Sequence, residues 1–119
     1  MEIEFFTTSS GEKPARDFLD ELSPKMRAKM LDKIRYLHEL GQALRFPHSR
    51  HLEDEIYELR AQAEGNISRI LYFFVIGDKA VLTHGFIKKT QNTPPKEIKK
   101  AEKYRRQYLS QHRGDEKHG

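Results

Sequence analysis

The run Ile67 to Ile76, ISRILYFFVI, constrains this chain more than any other stretch. Apolar residues occupy both strand parities. Ile67, Leu71 and Phe73 share one face with Arg69; Ile70, Tyr72 and Phe74 share the other. A strand apolar on both sides belongs in the middle of a sheet. Its neighbours are half-polar. In Ile56 to Gln62, Tyr57, Leu59 and Ala61 alternate with Glu58 and Arg60, and Ala80 to Lys88 follows a tight Gly77-Asp78 turn. The spacing predicts an antiparallel meander of three strands.

The N-terminal half reads differently. Glu2 to Thr8 forms a strand, with Ile3 and Phe5 on one side and Glu4 and Phe6 on the other. After the turn Ser9-Ser10-Gly11, Pro14 opens a helix from Lys13 to Leu22, with Ala15, Phe18, Leu19 and Leu22 on one stripe. Ser23-Pro24 caps a second helix that ends at Leu40 before Gly41. Met30, Leu31, Ile34, Leu37 and Leu40 make its expected buried face. So short a connection implies an antiparallel helical hairpin. Residues 42–51, interrupted by Pro47, read as loop. A polar loop from Thr90 to Thr93 precedes a third helix, opened by Pro94-Pro95 and running to about Gln111. The polar tail from Arg113 is expected to be disordered. Helices and strands are segregated, so the class is α+β. One domain is expected over residues 1–112, with 113–119 as a tail. The hairpin should cover one sheet face and leave the other partly open for chemistry.

Composition removes several functional classes. With no cysteine there is no disulfide, thiolate metal site or thiol nucleophile. The acidic N-terminus lacks the basic and apolar regions of a signal peptide. No apolar run approaches the roughly 20 residues of a membrane span, so a cytoplasmic protein is expected. There is no phosphate-cradling glycine loop, no GxSxG and no aromatic RNP signature. Charge is unevenly spread. Residues 1–22 carry six acids and two bases, whereas 86–106 carry eight bases and two acids. This polarity points to a face that attracts polyanions, although Lys96, Lys99, Lys100 and Lys103 also fit the solvated side of an amphipathic helix.

Arg69 is the residue a fold alone does not ask for. An arginine in an apolar strand is either paired, Glu58 being the candidate, or used, and its fixed donors suit a phosphate. Arg60 in the adjacent strand and Lys88 or Lys89 at the end of the last strand could converge on it. Such a cluster repels itself unless an acid or an anion sits within it, and it would stabilise charge developing on a phosphodiester. His84 is either a half-buried structural residue or an acid–base group. His48, His51 and Glu53 lie in a loop with no completing ligand, so no metal is expected.

Three stretches, HLEDEIYELR (51–60), SRILYFF (68–74) and THGFIKKTQNTPPKEIKKA (83–101), together resemble the phage-derived, HigB-like branch of the RelE/ParE toxin superfamily. The resemblance spans nearly the whole chain. It implies a RelE-like fold and a toxin of a type II toxin–antitoxin system, a ribosome-dependent mRNA endoribonuclease. Since the residues offer no metal constellation, cleavage is expected to need no metal or cofactor. The alternatives are an RNA- or ribosome-binding module without cleavage and an inactive, partner-binding toxin homologue. It also implies a helix-turn-helix antitoxin as partner, with DNA bound only through that complex. By position, the family's strand arginine matches Arg69, its terminal basic residue Lys88 or Lys89, and its preceding basic residue Arg60. The basic helix, through Lys96, Lys99, Lys100 and Lys103, would rest on RNA phosphates. The family's C-terminal tyrosine is missing, because TQNTPP stands in its place. His51, His84 and Tyr57 are the remaining candidates for a general base.

Overall fold

A computed structural model describes residues 1–112; the expectation for the tail from Arg113 lies outside the described residues. Five strands form one sheet in the order β1-β5-β4-β3-β2: β1 (Glu2–Phe5), β2 (Ser49–Glu53), β3 (Ile56–Ala63), β4 (Asn66–Val75) and β5 (Lys79–Lys88). Three α-helices accompany it: α1 (Pro14–Glu21), α2 (Pro24–Leu40) and α3 (Pro95–Gln111). The protein is α+β, with β4 central as its two-sided apolar pattern requires. β2 to β5 form an antiparallel meander, whereas β1 joins β5 in parallel.

Turn chemistry sets the meander. Glu64 and Gly65, at φ 54° and 78°, close β3 onto β4. Gly77 and Asp78, at φ 99° and 64°, close β4 onto β5. In the two-residue β3–β4 turn, positive φ at both central residues matches the right-handed twist of the flanking strands, whereas the β4–β5 connection is a three-residue loop, Ile76-Gly77-Asp78, whose last two residues are left-handed. The strand β2 was expected to be loop. It is an edge strand, SRHLE, in which only Ser49 is buried and the single apolar residue, Leu52, is half-buried, so no hydrophobic alternation marks it.

One face carries the helical hairpin. α1 lies on β5 and α2 on β3, burying Ala15, Leu19, Met26, Met30 and Leu37 against Leu59, Ile70, Tyr72 and Leu82. Ser23 caps α2 by accepting from the Met26 amide at 3.3 Å. Arg27 ties the helices together, donating from Nε to the Leu19 carbonyl at 2.9 Å and from Nη2 to those of Asp20 (2.7 Å) and Leu22 (2.9 Å). It thereby satisfies orphan carbonyls at the end of α1. Two residues expected on the buried face of α2, Leu31 and Leu40, are exposed. Leu31 lies about 100° round the helix from Met30, and Leu40 sits in the last turn.

The opposite face is more covered than the sequence suggests. α3 crosses it and seats Ile98, Ala101 and Tyr108 against Phe6, Leu71, Phe73 and Val81. What remains for chemistry is the end of this face formed by β2, β3 and the far half of β5. Among the described residues, no helix is long and apolar enough to cross a membrane.

Candidate functional site

Strand register places the cations. Arg50 of β2 pairs with Glu58 of β3, Arg60 of β3 with Arg69 of β4, and Arg69 with Phe86 of β5, while Lys88 stands opposite Ile67. Directly paired residues share a face. Arg50, Glu58, Arg60, Arg69 and Lys88 therefore lie on the α3 side of the sheet, one cation from each of four adjacent strands.

At the centre is a buried ionic cluster. Glu58 and Arg69 are fully buried and Arg60 nearly so. Glu58 Oε1 lies 3.0 Å from Arg60 Nε and 3.3 Å from Arg69 Nε. The Thr93 hydroxyl lies 2.9 and 2.8 Å from the two Glu58 oxygens and donates its one proton between them. The chain leaving β5 folds back over the guanidiniums. Arg60 donates from Nη1 to Gln91 Oε1 at 3.0 Å and from Nη2 to the Gln91 carbonyl, and Arg69 donates from Nη2 to the Thr90 carbonyl. The Arg69 guanidinium also lies 5.7 Å from the centre of the Phe86 ring. Its Nη1 is buried and has no hydrogen-bond partner among the described residues.

Two guanidiniums thus share one carboxylate. Burial lowers the Arg69 pKa, and the charges of Arg60 and Arg50 lower it further, with Glu58 opposing them. The ion pair with Glu58, one of the two sequence readings of Arg69, is present. Contact between a phosphate and Arg60 or Arg69 requires segment 89–93 to move aside.

His84 reaches the same face by a different route. Strand alternation puts Leu82, His84 and Phe86 on one side. Instead a bulge shifts the register between the pairs Leu71–His84 and Tyr72–Leu82. Leu82 then packs under the hairpin while His84 turns towards α3. An extra residue in one strand is what reverses the alternation. His84 Nε2 meets Glu97 Oε1 at 3.1 Å, and Nδ1 meets the Thr83 hydroxyl at 3.1 Å. The ring stands edge-on to Tyr104, with centroids 5.8 Å apart. Burial pushes its pKa down, and the charge of Lys100 acts the same way against the Glu97 hydrogen bond. His84 joins β5 to α3 beside the arginine cluster.

The other candidates separate. Lys88 is half-buried and Lys89 exposed where β5 ends; Lys96, Lys99, Lys100 and Lys103 are exposed along α3. His51 pairs with Tyr57, and Tyr57 packs with the hairpin core, so both lie on the opposite face from the arginines. His48 Nδ1 is 2.7 Å from Lys33 Nζ, and His51 Nε2 donates to the Asp54 carbonyl at 2.6 Å. Arg50 was missed in the sequence because its strand was. It is exposed and makes no ion pair among the described residues.

The sequence profile described as "Phage derived protein Gp49-like (DUF891)" matches residues 17–106. The chain belongs to this Gp49-like family. The family is regarded as toxin-like. The matched span runs from within α1 to within α3 and includes every residue of the arginine cluster, the Gp49-like chain's Lys88 and Lys89, and the His84–Glu97 pair. No curated protein matches the chain.

Proposed function

We propose that this Gp49-like chain is the toxin of a type II toxin–antitoxin pair, a HigB-like endoribonuclease of the RelE superfamily that cleaves mRNA on the ribosome. The observation that carries this reading is the four-strand row of cations, Arg50, Arg60, Arg69 and Lys88, served by one carboxylate and continuing into Lys89. The exposed ends of this row, Arg50, Lys88 and Lys89, suit a polyphosphate strand, with Arg60 and Arg69 buried beneath segment 89–93. RNA carries its own nucleophile. Its 2′-hydroxyl attacks the adjacent phosphorus while the bond to the 5′-oxygen of the next nucleotide breaks, leaving a cyclic phosphate and a free 5′-hydroxyl. No metal or cofactor is needed for that step. The protein's task is to align the strand and to neutralise charge on the phosphate oxygens.

In this scheme Lys88, Lys89 and Arg50 meet phosphates directly. Arg60 and Arg69 hold segment 90–93 and so set the direction in which the two lysines leave β5. Arg69 Nη1, buried without a hydrogen-bond partner among the described residues, has donors to offer a phosphate once the segment shifts. Lys96, Lys99, Lys100 and Lys103 add ribosomal RNA contacts. The partner is a helix-turn-helix antitoxin in the same cytoplasm, and DNA is bound only through the pair.

A second reading, RNA or ribosome binding without cleavage, is favoured by one observation. His84, the only histidine on the cationic face among the described residues, has both ring nitrogens engaged. Inducing the chain alone in growing bacteria and mapping mRNA 5′ ends separates the two. New ends inside translated regions, abolished by Lys88→Ala with Lys89→Ala, are expected for the nuclease. Arrest with intact mRNA would instead establish the binding reading. An Arg69→Ala protein that folds and still cleaves would remove Arg69 from the mechanism.

A further inference from the structure

The turn after α2 and the edge of β2 enclose a second cleft, of about 510 Å³, that the scheme above does not use. Its lining includes Arg45, Phe46, Ser49, Arg50, His51 and Tyr57. Phe46 is 75 % exposed. The His51 and Tyr57 rings lie 4.9 Å apart, and Tyr57 rests in turn on Tyr72 and Phe74. The cleft therefore has an outer aromatic side chain in solvent and an inner aromatic pair fixed by the core. Ser49 and Tyr72 hydrogen-bond to each other and are buried, so the floor makes no unmet polar demand.

The polar groups are selective. No carboxylate lines the cleft, whereas two arginines do. Arg45 is anchored through Nη1 alone, on the carbonyls of Gln42 and Leu44, and Arg50 makes no ion pair among the described residues. In the tautomer that donates Nε2–H to the Asp54 carbonyl, His51 Nδ1 is an acceptor with no partner among the described residues. Aromatic faces, a ring acceptor and free guanidiniums match an unpaired nucleotide: the base stacks, an amino group donates, and the phosphate meets arginine. An acidic peptide would use the arginines but would leave the aromatic faces and the ring acceptor unexplained.

Position connects the cleft to the cationic face. Arg50 lines the cleft and is also the strand partner of Glu58, close enough for its charge to act on Arg69. Three strand spacings, about 14 Å in all, separate β2 from β5. We propose that this cleft is a nucleotide-binding subsite: it takes an unpaired RNA base against Phe46, His51 and Tyr57, with phosphate on Arg45 and Arg50. The proposal rests on the RNA-directed reading above, and it places one end of the bound strand round the β2 edge.

The test uses the full chain and a fluorescein-labelled, single-stranded RNA hexanucleotide with 2′-O-methyl sugars, which removes the attacking hydroxyl. Binding is followed by anisotropy across a salt series, with thermal melting as the control for folding. Phe46→Ala should weaken binding about 5- to 160-fold, the range for losing one base–aromatic stack. Arg45→Ala with Arg50→Ala should reduce the log–log salt slope by about 0.7, the value for the one phosphate that the two arginines share on a single strand. Tight RNA binding left unchanged by all three substitutions would overturn the subsite while the RNA reading stands. No RNA binding by the wild-type chain would overturn the subsite too, and the mRNA-end mapping then decides separately whether the nuclease reading survives. An oligoglutamate peptide that binds in place of RNA, and is lost in Phe46→Ala, would assign the cleft to a protein partner.

Discussion

Burying a carboxylate costs several kcal/mol unless its oxygens are paired, and burying two guanidiniums beside it makes each partner depend on the others. Glu58 stands in that position between Arg60, Arg69 and Thr93. Glu58→Ala should cost about 3–5 kcal/mol, because it leaves two facing arginines with no counter-charge. Urea unfolding measures this, and a loss no larger than that of an exposed substitution would show that the cluster relaxes freely. His84 gives a second residue-scale outcome. Its folded pKa lies below 6.5 through burial and the nearby Lys100 charge. The unfolded chain therefore binds the proton more readily, and stability falls as pH drops through 6.5. Replacing His84 with Gln should flatten that slope in unfolding measured from pH 8 down to pH 5. A slope that persists unchanged would place the titrating group elsewhere.

At the scale of elements, packing depends on a few close approaches. Gly85 lies where a Cβ would come within 2.2 Å of the Phe18 ring, so the absence of a side chain lets α1 sit on β5. Gly85→Ala should destabilise by about 1–3 kcal/mol, the usual range for overpacking. Combining it with Phe18→Ala should cost less than the two changes separately, with a coupling of about 0.5–3 kcal/mol. Additive effects in that cycle would contradict the contact. The sequence shows HGF as one motif but does not say that the glycine faces a helix. The bulge near Thr83 is also hidden in the sequence, since strict alternation puts Leu82 with His84. Edge strand β2 escapes detection for a related reason: a strand with one buried residue has no periodic signal, and Arg50 went with it.

For the whole molecule, charge distribution decides behaviour more than net charge. The +4 of the sequence is concentrated by α3, which buries Ile98, Ala101 and Tyr108 and leaves Lys96, Lys99, Lys100 and Lys103 in solvent. If these lysines rest on RNA, neutralising each to Gln should lower the log–log salt slope of RNA binding by about 0.7. An unchanged slope in the fourfold variant would return α3 to a purely structural role. By itself the sequence determined the α+β class, the central strand, the hairpin, the third helix and the cationic residues, because periodicity, caps and turn residues act over a few positions along the chain. Only the tertiary structure decided how far α3 and segment 89–93 cover the face expected to be partly open, that Glu58 holds both arginines, and that Arg50 joins their row. Those outcomes depend on register, a one-residue bulge and long-range pairing, and no local pattern carries them.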